Sequence, residues 1–228
     1  MHGNLNESKV AAPAARPEPL GLWLAPPGAS HHFDPAELTE VERNRLARLR
    51  RERRRQEFAV SRALRLHVAR SAPQPAAESL SHSGGYAALA RVRPELRVGV
   101  DLEQHRPRDV LSIARTAFSE AEARSLESVG NGERERLFYA MWTVKEALAK
   151  ALQLDLLTAL RRCEVAVDGP AWHVRIPMTE AAGCVTVFQP RADLTLTVAC
   201  IGASVPIESR TWPPERPASW PIIAAVSL

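Results

Sequence analysis

Asp101 and Glu103 stand two residues apart in Val98-Gly99-Val100-Asp101-Leu102-Glu103. Glu146 and Lys150 stand four apart in Trp142-Thr143-Val144-Lys145-Glu146-Ala147-Leu148-Ala149-Lys150. Val98, Val100 and Leu102 alternate with small or polar residues at the period of a half-buried strand, which puts both carboxylates of the first segment on one face. An i, i+4 pair occupies one side of a helix. Three carboxylates and an amine brought together this way are a donor set for a hard cation such as Mg²⁺, with coordination positions left for phosphate oxygens and water. The lysine would offset phosphate charge. Each pair also has an ordinary reading, as a solvated strand face and as a helix ion pair worth a few tenths of a kcal/mol.

The elements that must position these residues follow from periodicity and punctuation. Leu20 to Leu24 reads as a first strand, and Pro35 to Ala69 as helix in two pieces, with a renewed i, i+3, i+4 pattern in Phe58, Ala59, Arg62, Ala63 and Leu66. Ser71 to Pro75 breaks it. Tyr86 to Val92 and Arg97 to Glu103 read as an antiparallel hairpin closed around Pro94. Ser119, with Glu122 three residues on, caps a helix from about Ser119 to Val129, and the helix with Glu146 and Lys150 runs from about Glu133 to Leu154. Phe138, Met141, Leu148 and Leu152 form its apolar stripe, with Glu146 and Lys150 at the edge and Lys145 inside, where a lysine must snorkel or reach an anion. Trp142 reads as core. Cys163 to Val167, Ala171 to Ile176, Cys184 to Phe188 and Thr195 to Ile201 read as strands. This order predicts an α+β fold of two halves rather than an alternating parallel sheet.

Gly-Val-Asp-Leu-Glu followed by Trp-Thr-Val-Lys-Glu-Ala-x-x-Lys resembles the signature of Sfp-type 4′-phosphopantetheinyl transferases. Ser81-His82-Ser83-Gly84-Gly85-Tyr86 upstream and Phe118-Ser119-Glu120-Ala121-Glu122 between the two motifs add to the resemblance, which covers roughly residues 38 to 155. It implies a pseudo-dimer of two similar α/β halves with coenzyme A, the substrate, in the cleft between them. It also implies Mg²⁺-dependent transfer of phosphopantetheine to a serine of an apo acyl or peptidyl carrier protein, with adenosine 3′,5′-bisphosphate released. Carried over by position, Asp101, Glu103 and Glu146 hold the metal, Glu146 and Lys150 are catalytic, and Arg43, Arg45, Arg62, His82, Lys145 and Lys150 bind the cofactor. His82 would hold a phosphate rather than act as base. The family's strand and Gly-Lys-Pro turn between the arginine-bearing helix and Ser81 are missing by this reading.

Composition permits this reading without selecting it. The chain has 228 residues, 45% of them apolar, enough to bury a sizeable core. The expected division is a disordered extension over 1–18, an N-terminal half over 19–108, a C-terminal half over 109–205 and a Pro-rich surface strap or mobile tail over 206–228. Cys163, Cys184 and Cys200 form no Cys-x-x-Cys pair, and an odd count suits free thiols in a reducing compartment. No stretch reaches the roughly 18 apolar residues of a membrane span, and the first twenty residues lack a signal-peptide apolar run. A cytoplasmic monomer is expected, without membrane or nucleic-acid partners.

The net charge of +4 is unevenly placed, with eight arginines between Arg43 and Arg55. Such a run marks a solvated helix face or an anionic partner. A basic nucleic-acid-binding protein is one alternative class, opposed by the low aromatic content and the absence of a recognition motif. A relative that binds coenzyme A or carriers without catalysis is the other.

Overall fold

The computed structural model describes residues 18–176 and 181–228. The extension expected over residues 1–18 lies, apart from its last residue, outside the described residues. The chain opens with β1 (Leu20–Ala25), followed by α1 (Glu40–Arg48) and α2 (Glu52–Ser71), then β2 (Ala77–Ser83), β3 (Tyr86–Val92) and β4 (Arg97–Gln104). Four helices come next, α3 (Val110–Ala117), α4 (Glu120–Glu127), α5 (Asn131–Leu152) and α6 (Leu156–Arg162). The remainder is β5 (Glu164–Asp168), β6 (Ala171–Arg175), β7 (Gly183–Arg191), β8 (Leu194–Ile201), β9 (Ile207–Thr211), β10 (Arg216–Pro217) and β11 (Ile222–Ser227). The mixed α+β class is as the sequence predicts. The helical region is in two pieces, as expected, divided at Leu49 to Arg51.

Two sheets stack between two long helices. The first has the order β10-β9-β1-β3-β2 and the second β11-β7-β8-β4, while β5 and β6 form a separate pair. Alternation along β1 decides the layers. Trp23 and Ala25 join Val60, Leu64 and Val68 of α2, whereas Leu20, Leu22 and Leu24 meet Val98, Val100, Leu102, Leu196 and Val198 of the second sheet. On that sheet's other face Val185, Val187 and Ala199 pack under Tyr139, Met141, Val144 and Leu148 of α5. Each sheet therefore carries one long helix on its outer face.

Three expectations are corrected by this topology. Tyr86 to Val92 and Arg97 to Glu103 are not a hairpin: β3 pairs with β1 and β2, while β4 pairs with β8 over Arg97↔Ile201 to Gln104↔Leu194. The hairpin is instead β2–β3, closed by Gly84 and Gly85 at φ 64° and 86°, the backbone a two-residue reversal requires. The Ser-His-Ser motif itself lies at the end of β2, which begins at Ala77. The segment 206–228 is not a tail. Its β9 lies parallel to β1 in the first sheet and its β11 antiparallel to β7 in the second, so it joins the two halves. The boundary at residue 108 is likewise crossed, since β4 belongs to the second sheet.

Candidate functional site

The two sheets meet at the edges β2 and β4, and a row of serines makes the joint. β4 is an edge strand with unpaired N–H groups on the side away from β8, and a buried N–H left unpaired is costly. The N–H groups of Val100, Leu102 and Gln104 donate to the hydroxyls of Ser79, Ser81 and Ser83 at 3.0, 3.3 and 3.1 Å. Two of these hydroxyls donate onward, Ser81 to Asp101 Oδ1 and Ser83 to Glu103 Oε2, both at 2.9 Å. One serine thus satisfies the backbone and aims a carboxylate.

Helix α5 comes unusually close to β4 because residue 99 is glycine. A Cβ at Gly99 would stand 1.9 Å from the Ala147 carbonyl oxygen and 2.7 Å from the Ala151 nitrogen. This approach lets Lys150 Nζ reach Asp101 Oδ1 at 2.7 Å and the Val100 carbonyl at 2.8 Å. It also brings Glu146 in. One oxygen each of Asp101, Glu103 and Glu146 lie within 4.8 Å of one another.

Electrostatics in the cluster are those of crowded, half-buried acids. Asp101 is buried, and its Oδ2 has no hydrogen-bond partner among the described residues. Burial, then the charge of Asp101, pushes the Glu146 carboxyl up to about 7, against the pull of Lys150 and a hydrogen bond from Trp142. Burial and Asp101 also raise Glu103, opposed by Ser83 and Arg108. An orphaned carboxylate oxygen among crowded acids is resolved by a cation. Hard ions hold oxygens at about 2.0–2.6 Å, so oxygens across one ion are at most about 5 Å apart, and this set fits Mg²⁺ or a similar ion.

The other expected residues divide. His82 flanks the cluster on the α2 side, with Lys150 among the charges acting on it, and its buried Nδ1 faces Glu57 Oε2 at 3.7 Å. Arg62 is mostly spent inside, ion-paired with Glu42 at 2.9 Å and lying over Phe58. Arg43 is exposed, and its guanidinium donates to the Leu38 carbonyl at 2.5 Å; Arg45 is exposed on α1, and its charge acts on Arg62. Trp142 is half-buried beside the α5 core, as expected of a mainly packing residue.

Lys145 is corrected outright. It is fully buried, donates to Glu122 at 2.9 Å and to the carbonyls of Leu160 and Cys163 at 2.7 and 2.6 Å, and sits over the Phe118 ring. No donor is left for a cofactor. Glu122 in turn accepts from the N–H of Val165 and of Ser119, so the pair ties α4, α5, α6 and β5 together. Two resemblance motifs, Phe118 to Glu122 and Trp142 to Lys150, are therefore halves of one structural contact.

Sequence reasoning gave no role to Ser81, Ser83, Gly99, Glu57 or Arg108, which acts on Glu103 and lies over the Tyr139 ring. The Ser-x-Ser-x-Ser alternation of residues 79–83 was the available signal for the serines. A cavity of about 530 Å³ is lined by Trp23, Arg91, Arg93 and Arg210 among others, and none of the cluster residues lines it.

With this geometry in place, comparison with known proteins gives a consistent family. Residues 97–198 match the model of the 4′-phosphopantetheinyl transferase superfamily, and this span holds the three carboxylates and Lys150 but not His82 or the arginines of α1 and α2. The chain is 34% identical over 106 residues to the 4′-phosphopantetheinyl transferase HetI of Nostoc, a match covering 42% of this chain and 44% of that one. It is 40% identical over 81 residues to AcpT of Salmonella typhimurium, covering 35% and 42% of the two chains. It is 32% identical over 97 residues to the L-aminoadipate-semialdehyde dehydrogenase-phosphopantetheinyl transferase of Xenopus laevis, covering 40% and 32%. The matched segments span less than half the length of these relatives. The segment that carries the acidic cluster on β4 and α5 is thus the one that resembles the 4′-phosphopantetheinyl transferase superfamily.

Proposed function

We propose that the protein transfers 4′-phosphopantetheine from coenzyme A to a serine of an apo acyl or peptidyl carrier protein, releasing adenosine 3′,5′-bisphosphate. The observation that carries this reading is the unpartnered Asp101 Oδ2 inside a three-carboxylate cluster, with Lys150 alongside, on the segment that matches the family. A divalent cation, Mg²⁺ by the hardness of its donors, would be held by Asp101, Glu103 and Glu146. When bound it supplies positive charge against the pyrophosphate.

The residues divide the remaining work. Ser81 and Ser83 fix the ligand carboxylates, and Lys150 places a cation beside the leaving phosphate. Phosphoryl transfer spreads negative charge over oxygens, so fixed positive groups lower its barrier. The carrier serine oxygen forms a bond to the β-phosphorus as the bond to the bridging oxygen breaks. The serine proton passes to Glu146, directly or through a water, and the bisphosphate leaves with the bond electrons. Arg45 and Arg62 are the candidates for the 3′-phosphate, with Arg62 exchanging its internal Glu42 partner for it, and His82 for a phosphate of the pyrophosphate.

Carriers of polyketide or nonribosomal peptide synthesis are the proposed partners, and the cytoplasm the proposed compartment. The described cysteines are free thiols, and no described helix is long and apolar enough to cross a membrane. Incubation of a panel of apo carriers with coenzyme A and Mg²⁺, followed by intact-protein mass spectrometry, tests the reading. One carrier should gain the phosphopantetheine mass. No gain on any carrier would refute the transfer.

A further inference from the structure

Glu57 is a buried carboxylate outside the acidic cluster. It lies on α2 with a side chain only 3% exposed, and it accepts from Arg53 Nε at 3.1 Å and Arg54 Nη1 at 3.2 Å. Both arginines are more than half exposed, so solvent helps to hold them, while the carboxylate itself is enclosed. A carboxylate so placed is costly unless its oxygens are used, and Arg53 and Arg54 take one bond each.

Facing it stands His82 on β2. Its Nδ1 is buried without a hydrogen-bond partner among the described residues and lies 3.7 Å from Glu57 Oε2, an ion-pair distance just beyond hydrogen-bond reach. The side chain is 31% exposed although Nδ1 is enclosed, so the exposed part lies elsewhere on the side chain. Three charged groups act on the ring. Glu57 favours a proton on it, and Arg54 and Lys150 oppose one.

We propose that Glu57 is the positioning residue for His82, taking a hydrogen bond from Nδ1–H so that, when an anionic group binds, the second proton goes to Nε2 and that N–H donates to the anion. Which nitrogen of a histidine faces a ligand is set by what the other one bonds. Left to itself the ring could turn either edge outward. A gap of 3.7 Å closes with a small rotation of either side chain, and such contacts tighten when a ligand takes the other edge. Arg53 and Arg54 complete the device by holding Glu57 in one orientation while it serves the ring. The identity of the anion, a phosphate of coenzyme A, rests on the functional reading above; the link from Glu57 to His82 does not.

The first arm of the test is ¹⁵N NMR of the His82 ring in the full chain without substrate, at about pH 8, where an ordinary imidazole is neutral. The wild-type ring should carry its proton on Nδ1, and Glu57→Gln, which keeps an acceptor oxygen, should preserve that tautomer. Glu57→Met, of similar length with no acceptor oxygen, should shift it toward Nε2–H. A wild-type ring protonated at Nε2 overturns the proposal, whether or not Glu57→Met folds. The second arm is kinetic. Glu57→Met should raise KM for coenzyme A about tenfold with a smaller effect on kcat, and by less than about twofold in a His82→Ala background, the coupling expected of residues in one contact. Equal factors in both backgrounds overturn it. The two ideas fail separately, because the ring spectrum needs no substrate and decides on Glu57 even where no carrier is modified.

Discussion

Lys150 Nζ lies 2.7 Å from Asp101 Oδ1 and 2.8 Å from the Val100 carbonyl, so the helix that brings Glu146 is tied to the strand that brings Asp101. The amine neutralises one oxygen of that carboxylate and leaves the other, buried and unpartnered, for a cation. Asp101→Asn should therefore abolish turnover and weaken Mn²⁺ binding measured by electron paramagnetic resonance, with little change in melting temperature. Wild-type turnover in Asp101→Asn would refute the metal assignment.

Lys145 and Lys150, five residues apart on α5, should respond oppositely to removal. Lys150→Ala should lower kcat at least about a hundredfold, the scale of one preorganised electrostatic group, and affect KM less. Lys145→Met leaves the Glu122 carboxylate buried without its cation, and breaking such a pair costs about 3–5 kcal/mol. Urea unfolding should register that loss. A stable Lys145→Met protein with a raised KM for coenzyme A would restore the lysine to the cofactor.

The contact of Gly99 with α5 makes a sharp steric prediction. Gly99→Val places atoms where the Ala147 carbonyl and Ala151 nitrogen already stand, and neither backbone atom can step aside. The helix must move away from β4. Stability and metal affinity should fall together, and Gly99→Val with unchanged Mn²⁺ affinity would show that the close approach does not set the cluster.

Metal binding should depend on pH through Glu146. In the metal-free protein its carboxyl is pushed up to about 7, so between the ordinary carboxylate value and about 7 the native state keeps a proton that the unfolded chain has lost. Metal-free stability accordingly falls as pH rises through that window. A cation needs the carboxylate, so its affinity should rise about tenfold per pH unit below 7 and level off above. Titration calorimetry in buffers of different ionisation enthalpy should show up to one proton released. A flat affinity from pH 5.5 to 8 would contradict the assignment of Glu146 as a ligand.

The two candidate phosphate arginines differ in what they must give up. Arg45 is exposed and free to meet a phosphate, whereas Arg62 must release Glu42. Arg45→Ala should raise KM for coenzyme A and spare 3′-dephospho-coenzyme A. Glu42→Gln, which frees Arg62, should lower KM for coenzyme A if Arg62 is also used. Equal effects on both substrates would remove the 3′-phosphate assignment from these residues.

The acidic residues and their amine were legible in the sequence because local rules are strong there: period 2 puts Asp101 and Glu103 on one face, and a four-residue step puts Glu146 above Lys150. The Ser119 cap with its Glu122 partner and the strands of the second half follow equally local rules. Strand pairing is another matter. The segments β3 and β4 are adjacent in sequence and extended, and nothing local distinguishes a hairpin from two strands sent to different sheets; burial of Val98, Val100 and Leu102 between the sheets decides it. The same holds for residues 206–228, whose prolines suggest a tail but whose β9 and β11 complete both sheets. Lys145 shows the limit most clearly. Its place in an apolar stripe calls for an anion, and the sequence names Glu122 in another motif, but only the packing of α4 against α5 brings that carboxylate to 2.9 Å and leaves Lys150, not Lys145, at the cluster. The chemistry of each side chain is local, whereas the partner it meets is set by which apolar surfaces the whole chain can bury together.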